Sequence, residues 1–311
     1  MPSARTLVVG TRGSRLALRQ TGIVVAALRA ASPGLEVEVR EVRTEGDRRP
    51  DEPLANIGGQ GVFVKELERA LSSQEIDLAV HSAKDIPAEL SEGLVLAAFP
   101  QRGDARDALV TRNGATLSEL PQGARVGTGS ARRAVQVLAM RPDLQCQDIR
   151  GNVDTRIRKV DEAQYDAAVL AVAGLERLGL LERASEVFEP DVMLPAVGQG
   201  ALAVEAREDD REVIDVLRAI DDRDTRAAVE AERAFLQRLG GGCRLPFGAL
   251  AQVEGEELHM RGFISDGAGL RTLRSALRGP VDAPEELGVR LVEALLAQGA
   301  SAFVEGTSTP A

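Results

Sequence analysis

The sequence is poor in several chemically informative residue types, and each shortage argues against a class of function. Tryptophan is absent and aromatic residues make up 3% of the chain, so a platform for stacking nucleic-acid bases is not expected. The net charge of −10 also lacks the basic surface that general nucleic-acid binding needs. Two histidines are too few for a histidine-rich metal site. We therefore predict no nucleic-acid partner and no bound metal.

Long apolar runs are missing as well. No run approaches the roughly 18 apolar residues that span a bilayer, so we expect no membrane partner. The N-terminal stretch MPSARTLVVG leads directly into a strand-like run, without the apolar segment and cleavage site of a secretory signal. These features predict a cytoplasmic protein.

Cysteine and lysine are both scarce. Cys146 and Cys243 are far apart and form no C-x-x-C pair, and a disulfide between them is not expected in the cytosol. The three lysines, Lys65, Lys84 and Lys159, stand against 35 arginines, a bias that we attribute mainly to a GC-rich coding sequence. Each lysine nevertheless gains some interest as a candidate functional residue.

The rest of the composition, with 44% hydrophobic and 28% charged residues, is that of a globular protein. A length of 311 residues favours about two domains and permits three.

Short apolar strands alternate with amphipathic helices, which predicts an α/β architecture with mostly parallel sheets. A strand within residues 195–207 could return to the first sheet. Residues 44–61 lack periodicity, which predicts a mobile loop or lid.

From about Asp222 the pattern changes. A helix ends in three glycines at residues 240–242, and three alternating segments follow near residues 247–253, 257–264 and 269–276. A last helix is predicted over residues 284–298. This order predicts a small α+β domain with an antiparallel sheet.

Three predicted helix starts carry arginine, which normally opposes the helix dipole there. Arg12 and Arg15 flank the first start, where Ser14 is the predicted N-cap of a helix extending to about Arg29. The other two starts carry Arg132 with Arg133 and Arg150 with Arg156, and residues 126–132 repeat the pattern of residues 9–15. Arginine binds carboxylates in bidentate fashion, so the three starts predict a site for a carboxylate- or phosphate-rich ligand. Simple solvated arginines are the alternative.

A second candidate follows the strand that ends at His81. Ligand sites in α/β proteins lie at the carboxyl ends of parallel strands, and Lys84 and Asp85 come directly after this strand. A carboxylate in a cleft could stabilise a cation and move a proton. An exposed ion pair is the ordinary interpretation of these adjacent charges, and a structural role is favoured for His81.

The third candidate is Cys243, which follows three glycines and precedes Arg244. Glycines permit a close backbone approach, and a loop cysteine beside arginine can have a lowered pKa. A lone cysteine is more often an inert buried side chain, and Cys146, in an alternating strand, keeps that interpretation.

Motifs spread over most of the chain resemble the porphobilinogen deaminase (hydroxymethylbilane synthase) family. They occur in order along the chain, and together they are highly specific although no single motif is. They are RGSRLALRQ (12–20), FVKELE (63–68), HSAKDIP (81–87), RDA (106–108), GTGSARR (127–133), RGNVDTR (150–156), VGQGA (197–201) and GGGCRLP (240–246).

The resemblance implies a transferase of tetrapyrrole biosynthesis, the route to haem and chlorophyll-type porphyrins. Four porphobilinogen molecules would be joined head to tail with loss of ammonia, after which water would release hydroxymethylbilane. The implied cofactor is dipyrromethane, two linked pyrroles held as a thioether on Cys243. A monomer is usual in the family.

The resemblance also implies three domains. Two are similar to type 2 periplasmic-binding-protein lobes with a cleft between them, and the third is a small C-terminal α+β domain with a three-stranded antiparallel sheet. The predicted boundaries are residues 1–100 with 197–220, residues 101–196, and residues 221–311, the last of which carries the cofactor cysteine.

Residue roles follow from the matched motifs. Asp85 would be catalytic: it would contact the pyrrole N–H groups, stabilise the azafulvene cation formed when ammonia leaves, and help to move protons. The carboxylates of the cofactor and the growing chain would be held by Arg12, Ser14, Ser82, Lys84, Thr128, Ser130, Arg132, Arg133, Arg150 and Arg156. Further matched positions are Arg102, Arg177 and Gln199.

The chain departs from the family in two places. Asn56 and Gln60 stand where family members often carry lysine, so no role for charge in that loop is carried over. Ala83 replaces a commoner methionine, a change from which we expect a mild effect.

Two other functions remain open from the residues alone. A two-lobed solute receptor or effector sensor with an arginine-lined cleft would need neither Cys243 nor a third domain, and a receptor would need a signal peptide. A different cysteine enzyme would use Cys243 as a transient nucleophile and would need a partner base, for which only two histidines are present.

Overall fold

The computed structural model describes residues 6–42, 64–240, 245–267 and 269–305. Its strands are β1 Leu7–Thr11, β2 Val37–Glu41, β3 Leu78–Ser82, β4 Leu94–Ala98, β5 Asp107–Thr111, β6 Arg125–Gly127, β7 Gln145–Gln147, β8 Ala167–Ala171, β9 Glu186–Phe188, β10 Leu202–Arg207, β11 Phe247–Glu254, β12 Glu257–Ser265 and β13 Thr272–Pro280. Its α-helices are α1 Arg15–Ala31, α2 Lys65–Ser72, α3 Ala131–Met140, α4 Val153–Asp161, α5 Val172–Leu178, α6 Arg211–Leu217, α7 Arg223–Leu239, α8 Pro284–Leu295 and α9 Ser301–Glu305.

The chain divides into two compact units, Met1–Gly103 with Ala201–Arg226 and Asp104–Gly200 with Ala227–Ala311. The first unit contains one five-stranded sheet, and the second contains another five-stranded sheet together with the three-stranded sheet. The division into three domains predicted above stays a prediction.

The sheet of the first unit has the strand order β2-β1-β3-β10-β4. Strand β1 is parallel to β2 and β3, whereas β10 is antiparallel to β3 and β4. Val24 and Leu28 of α1 pack on one face of this sheet, and Leu67 and Leu71 of α2 belong to the core on the other face. The predicted return strand is therefore confirmed.

The prediction of mostly parallel sheets is confirmed in strand direction, because four of the five strands in each of these sheets run the same way and one, β10 or β5, runs against them. Residue Ala201 enters the first unit at the carboxyl edge of β3, where its carbonyl oxygen accepts a hydrogen bond from the N–H of Ala83 at 3.0 Å. A strand that starts at that edge must run back along β3, so β10 is antiparallel.

The second unit repeats this plan with the order β7-β6-β8-β5-β9. Strand β6 is parallel to β7 and β8, and β5 is antiparallel to β8 and β9. In both sheets a helix directly follows the second strand in the sheet order, as α1 follows β1 and α3 follows β6. The repeated sequence pattern in residues 9–15 and 126–132 thus marks equivalent strand-to-helix turns.

The third sheet is antiparallel in the order β11-β12-β13, as predicted. Its last strand begins at Thr272 rather than at residue 269. The reason is local: the Asp266 carboxylate accepts hydrogen bonds from the N–H groups of Leu270 and Arg271 and holds this segment in a turn. The last long helix ends at Leu295 rather than at residue 298, before Gly299 at φ 107°.

Candidate active site

The first group of predicted site residues lies at the carboxyl edge of the first sheet. Strands β1 and β3 are parallel neighbours, so the turn after β1 and the end of β3 share this edge. The predicted cap is confirmed, because Ser14 Oγ accepts a hydrogen bond from the N–H of Ala17 at 3.2 Å and begins α1. Gln20 Nε2 of the same helix donates to Ser82 Oγ at 2.7 Å. Arg12 and Ser14 are thereby placed on the same sheet edge as Ser82.

Asp85 lies in a single 3-10 turn, Ala83–Asp85, directly after β3. The turn is fixed at its start by the bond from Ala83 N–H to the Ala201 carbonyl and closes with Ile86 N–H on the Ala83 carbonyl at 3.3 Å. Within it, Lys84 is half-buried and Asp85 is exposed. The backbone of the turn is therefore anchored while the Asp85 carboxylate stays accessible to a ligand.

Arg102 belongs to the same edge. Strand β4 runs in the same direction as β3, because both are antiparallel to β10, and Arg102 follows the end of β4. Its backbone N–H donates to Thr225 Oγ1 at 3.0 Å, and its side chain is half-buried.

His81 is buried in the sheet, and its Nε2 lies 2.9 Å from Oε2 of the equally buried Glu205 on β10. This pairing between neighbouring strands agrees with the predicted structural role.

The second group surrounds a buried carboxylate in the second unit. Arg132 Nη1 donates to Asp107 Oδ2 at 2.7 Å, and Arg133 Nη2 donates to Asp107 Oδ1 at 2.6 Å. All three side chains are buried, and Asp107 is fully so. Arg132 also donates to the Leu194 carbonyl at 2.6 Å, and Arg133 to the Val169 carbonyl at 2.9 Å. We call Asp107, Arg132 and Arg133 the arginine cluster.

Gln199 joins this cluster. Its Nε2 donates to Asp107 Oδ1 at 2.9 Å and to the Ala105 carbonyl at 2.7 Å. Burial by itself would raise the pKa of the Asp107 carboxyl, but the adjacent guanidinium groups of Arg132 and Arg133 outweigh burial and hold that pKa well below its usual range. Asp107 is therefore an anion throughout the physiological pH range.

The arginine cluster contains two guanidinium groups and one carboxylate. Among the described residues, the ion pairs of Arg132 and Arg133 are with Asp107 alone. Buried charges are normally balanced by partners, so the surplus positive charge favours an anionic ligand at this place.

Arg177 also carries a positive charge that no ion pair among the described residues balances. It lies in the last turn of α5, and its Nη2 donates to the Gly200 carbonyl at 2.6 Å. Burial lowers the pKa of its guanidinium, against the opposing effect of Glu176. In the part of the chain that the structure describes, no ion pair holds this half-buried cation.

The remaining residues of the second group lie on the turns after β6 and β7. Thr128 is buried, and its Oγ1 accepts from Ser130 N–H at 3.2 Å at the start of α3. Arg150 is half-buried and donates from Nε to Asp148 at 2.7 Å, and Arg156 Nε donates to the Gly151 carbonyl at 2.8 Å. Because β6, β7 and β8 are parallel and β5 starts at their carboxyl edge, this group shares one edge with Asp107.

The predictions for Cys243 and for the loop of residues 44–61, including Asn56 and Gln60, lie outside the described residues. Cys146 is described: it is half-buried on β7, and burial raises the pKa of its thiol to about 11. A thiol with that pKa is protonated at neutral pH and a poor nucleophile, which confirms the prediction that Cys146 is inert.

Sequence reasoning missed the role of Asp107. The signal was present in the RDA motif, where an aspartate opens the apolar run of β5, and all five residues of that strand are buried. A charged residue at the start of a fully buried strand needs a partner, and the arginines in the first turn of α3 supply it. The sequence placed these arginines correctly but predicted only external anions for them.

Replacing Asp107 with asparagine is expected to destabilise the protein by about 3 kcal/mol or more, because two buried guanidinium groups lose their counter-charge. The check is urea unfolding at pH 7. The matched control is Asp161→Asn, which breaks a partly exposed ion pair with Arg183 at 2.6 Å and should cost less than about 1 kcal/mol. Equal, small losses in both variants would contradict the buried-pair assignment.

The difference in unfolding free energy between wild type and Asp107→Asn is expected to depend on pH. The folded-state pKa of Asp107 lies below the value of about 4 in an unfolded chain, so its contribution to stability is fully present above about pH 4. It is lost as the pH falls through the folded-state pKa. The gap in unfolding free energy between wild type and Asp107→Asn should therefore be constant above about pH 4 and narrow below it.

The helices among the described residues are too short or too polar to cross a membrane. The same part of the chain contains no group of three or more histidine, cysteine, aspartate or glutamate side chains that could hold a metal ion.

Two family models match the chain. Residues 7–215 match "Porphobilinogen deaminase, dipyromethane cofactor binding domain", and residues 226–297 match "Porphobilinogen deaminase, C-terminal domain". A porphobilinogen deaminase from Roseiflexus sp. (strain RS-1) is 55% identical over 302 residues, covering 97% of this chain and 99% of the relative. One from Brevibacillus brevis is 50% identical over 293 residues, covering 94% of each chain.

Solved structures align less closely. A nutrient-binding protein from Burkholderia cenocepacia bound to methionine gives a TM-score of 0.43 at 15% identity, covering 68% of this chain and 90% of that one. The VFT2 domain of Bordetella pertussis BvgS gives 0.40 at 19% identity, covering 69% and 86%. The two family models and the highly identical relatives, in contrast, span nearly the whole chain, and the chain belongs to the porphobilinogen deaminase family.

Proposed function

We propose that the protein joins four porphobilinogen molecules head to tail, releases one ammonia for each, and finally hydrolyses the product to hydroxymethylbilane. The growing chain would begin on a dipyrromethane cofactor held as a thioether by Cys243. The observation that carries the proposal is the arginine cluster with its surplus buried positive charge, in a chain whose first family domain is a dipyrromethane-binding domain.

The described residues fit such a cofactor. Each pyrrole ring carries an acetate and a propionate, so cofactor and product are rich in carboxylates. The chain offers guanidinium, ammonium, hydroxyl and amide donors for them at one edge of each five-stranded sheet. In the first unit these are Arg12, Ser14, Ser82, Lys84 and Arg102, and in the second Thr128, Ser130, Arg132, Arg133, Arg150, Arg156, Arg177 and Gln199. Bidentate guanidinium–carboxylate bonds would set the orientation of the rings.

Asp85 would act on the reacting pyrrole. An accessible carboxylate on an anchored turn can accept hydrogen bonds from pyrrole N–H groups. It would also stabilise the cation that remains when ammonia leaves porphobilinogen, and it can take up the proton released when the new bond restores the ring. Bound dipyrromethane supplies the pyrrole carbon to which the first substrate is joined.

Cys243 would be an anchor rather than the catalytic group. Its Sγ would bond to a methylene carbon as the bond from that carbon to nitrogen breaks, and the leaving amine would take up the thiol proton. Arg244 follows directly in the sequence, and a neighbouring guanidinium favours the thiolate that performs this step.

Further parts of the proposal concern organisation. We propose three domains at the boundaries given above, a monomer in solution and a cytoplasmic location.

The test of the function is a balance of ammonia against porphobilinogen consumed by the purified protein. One ammonia per porphobilinogen, with hydroxymethylbilane at one quarter of that amount, supports the proposal. A solute receptor or effector sensor would bind the compound and release no ammonia, and that result would overturn the proposal.

Arg150→Ala is expected to slow cofactor loading and to raise the KM for porphobilinogen about tenfold, because one charge-assisted carboxylate contact is lost. Steady-state kinetics and intact mass provide the readouts. The control is Arg158→Ala on α4, which removes an exposed arginine paired with Glu162 at 3.8 Å and should change neither value. Unchanged loading and KM in Arg150→Ala would count against the carboxylate-binding role.

A further inference from the structure

Glu232 is a fully buried carboxylate in the middle of α7. Its Oε2 accepts a hydrogen bond from the backbone N–H of Gly198 at 2.6 Å, and its Oε1 accepts one from the backbone N–H of Ala251 at 2.9 Å. A carboxyl group with no exposed surface is costly to bury, so its two oxygens need hydrogen-bond donors from the protein. Through these two hydrogen bonds, Glu232 connects α7 to the segment that contains Gly198 and to β11.

Two of these segments flank Cys243 in the sequence. Helix α7 carries Glu232 and ends at Leu239, four residues before the cysteine, and β11 carries Ala251 and begins at Phe247, four residues after it. The carboxylate thus joins the helix that ends before Cys243 to the strand that begins after it.

The third segment leads to the arginine cluster. Gly198 precedes Gln199, whose side chain donates to Asp107 at 2.9 Å. Gly198 at φ 70° and Gly200 at φ 87° flank Gln199 and form a tight turn around it. Residues with a side chain rarely adopt such positive φ angles. The position of Gln199 against Asp107 is therefore coupled directly to the Glu232 contact.

A second contact joins the same partners. A Cβ atom on Gly248 of β11 would lie 2.6 Å from the Pro195 carbonyl oxygen and 3.1 Å from Arg132 Cδ. Only glycine permits β11 to approach the arginine cluster this closely. The strand that follows Cys243 is thus packed directly against one of the two cluster arginines.

We propose that Glu232 is a positioning residue for cofactor attachment, which holds the two segments beside Cys243 in register with the arginine cluster. This inference rests on the proposed function, since it assigns Cys243 as the anchor and the cluster as a carboxylate-binding site. Glu232 would act through the placement of Gly198 and β11.

The two hydrogen bonds that Glu232 accepts make Glu232→Gln the informative substitution. Two N–H donors point at two carboxylate oxygens, whereas a glutamine has one acceptor and would turn an N–H group towards another N–H group. The matched control is Glu68→Gln in the first unit, because Glu68 is also buried and accepts from Ser91 N–H at 3.3 Å and Ser91 Oγ at 2.8 Å.

Apoproteins of wild type, Glu232→Gln and Glu68→Gln are made in cells that cannot synthesise porphobilinogen. Each is mixed with porphobilinogen, and the gain in intact mass is followed over time, with circular dichroism and the melting temperature recorded first. We expect Glu232→Gln to gain the cofactor mass about tenfold more slowly than wild type, and Glu68→Gln to match wild type even if its melting temperature falls as far.

Loading of folded Glu232→Gln at the wild-type rate would overturn the inference. If Glu232→Gln does not fold, Glu232→Asp replaces it: this variant keeps a carboxyl group but is too short to reach both donors, and slow loading is again expected. Wild-type loading by folded Glu232→Asp would equally overturn the inference. Failure of wild-type apoprotein itself to gain mass would instead refute the proposed function, and with it this role.

Discussion

Replacing Cys243 with serine is expected to yield a folded protein that carries no cofactor mass and turns over no porphobilinogen. A hydroxyl group is not ionised at neutral pH, so the bond that would anchor the cofactor does not form. Without an anchored cofactor the arginine cluster and Arg177 have no covalently held carboxylates to orient. Intact mass and the ammonia assay, measured on the same preparation, give the two readouts.

The chain provides its own control for this experiment. Cys146→Ser removes the other cysteine, a half-buried thiol whose Sγ lies 3.9 Å from the Ala134 carbonyl oxygen and whose pKa of about 11 keeps it protonated. This variant should retain the full mass excess and turnover. Loss of the mass excess in Cys146→Ser, or its retention in Cys243→Ser, would show that the anchor has been assigned to the wrong residue.

Asp85→Asn is expected to reduce kcat by about 10²- to 10⁴-fold, the range that general acid–base groups contribute. The substitution keeps the shape of the side chain but removes the charge that stabilises a cation and the basic oxygen that accepts a proton. Since Asp85 is exposed, the fold should not depend on it, and the melting temperature should stay within about 1–2 °C of wild type.

Glu89→Gln is the control for Asp85→Asn. Glu89 is an exposed carboxylate four residues along the same segment, so its loss changes the local charge equally without touching the anchored turn. Near-wild-type turnover in Asp85→Asn, or an equal loss in Glu89→Gln, would remove Asp85 from its catalytic role.

The sequence predicted the local elements well because their signals are local. Ser14 was identified as an N-cap from residue type alone, and the structure shows its hydrogen bond to Ala17. The alternation of strands and helices gave the α/β class, and three alternating segments gave the third sheet. The sequence did not predict features that a distant contact decides, such as the antiparallel direction of β10, which is set by the point at which the chain re-enters the first unit.

The residues of the candidate site were likewise predictable where their sequence signal is local, and not where a long-range contact defines them. Arginines in helix first turns, and Lys84 and Asp85 after a strand, are visible in a sequence because each position is defined by its neighbours. Asp107 pairs with arginines 25 and 26 residues away, and Glu232 bonds to Gly198, 34 residues earlier. No periodic or turn pattern encodes such long-range pairs, so their partners emerge only from the folded chain.

The mass of a single tryptic peptide shows directly whether Cys243 carries the cofactor. Trypsin cleaves after Arg238 and Arg244, so Cys243 falls in the short peptide of residues 239–244, LGGGCR. We predict that in the active protein this peptide carries the added mass of two linked pyrrole units. An active protein in which this peptide has its unmodified mass would contradict the account.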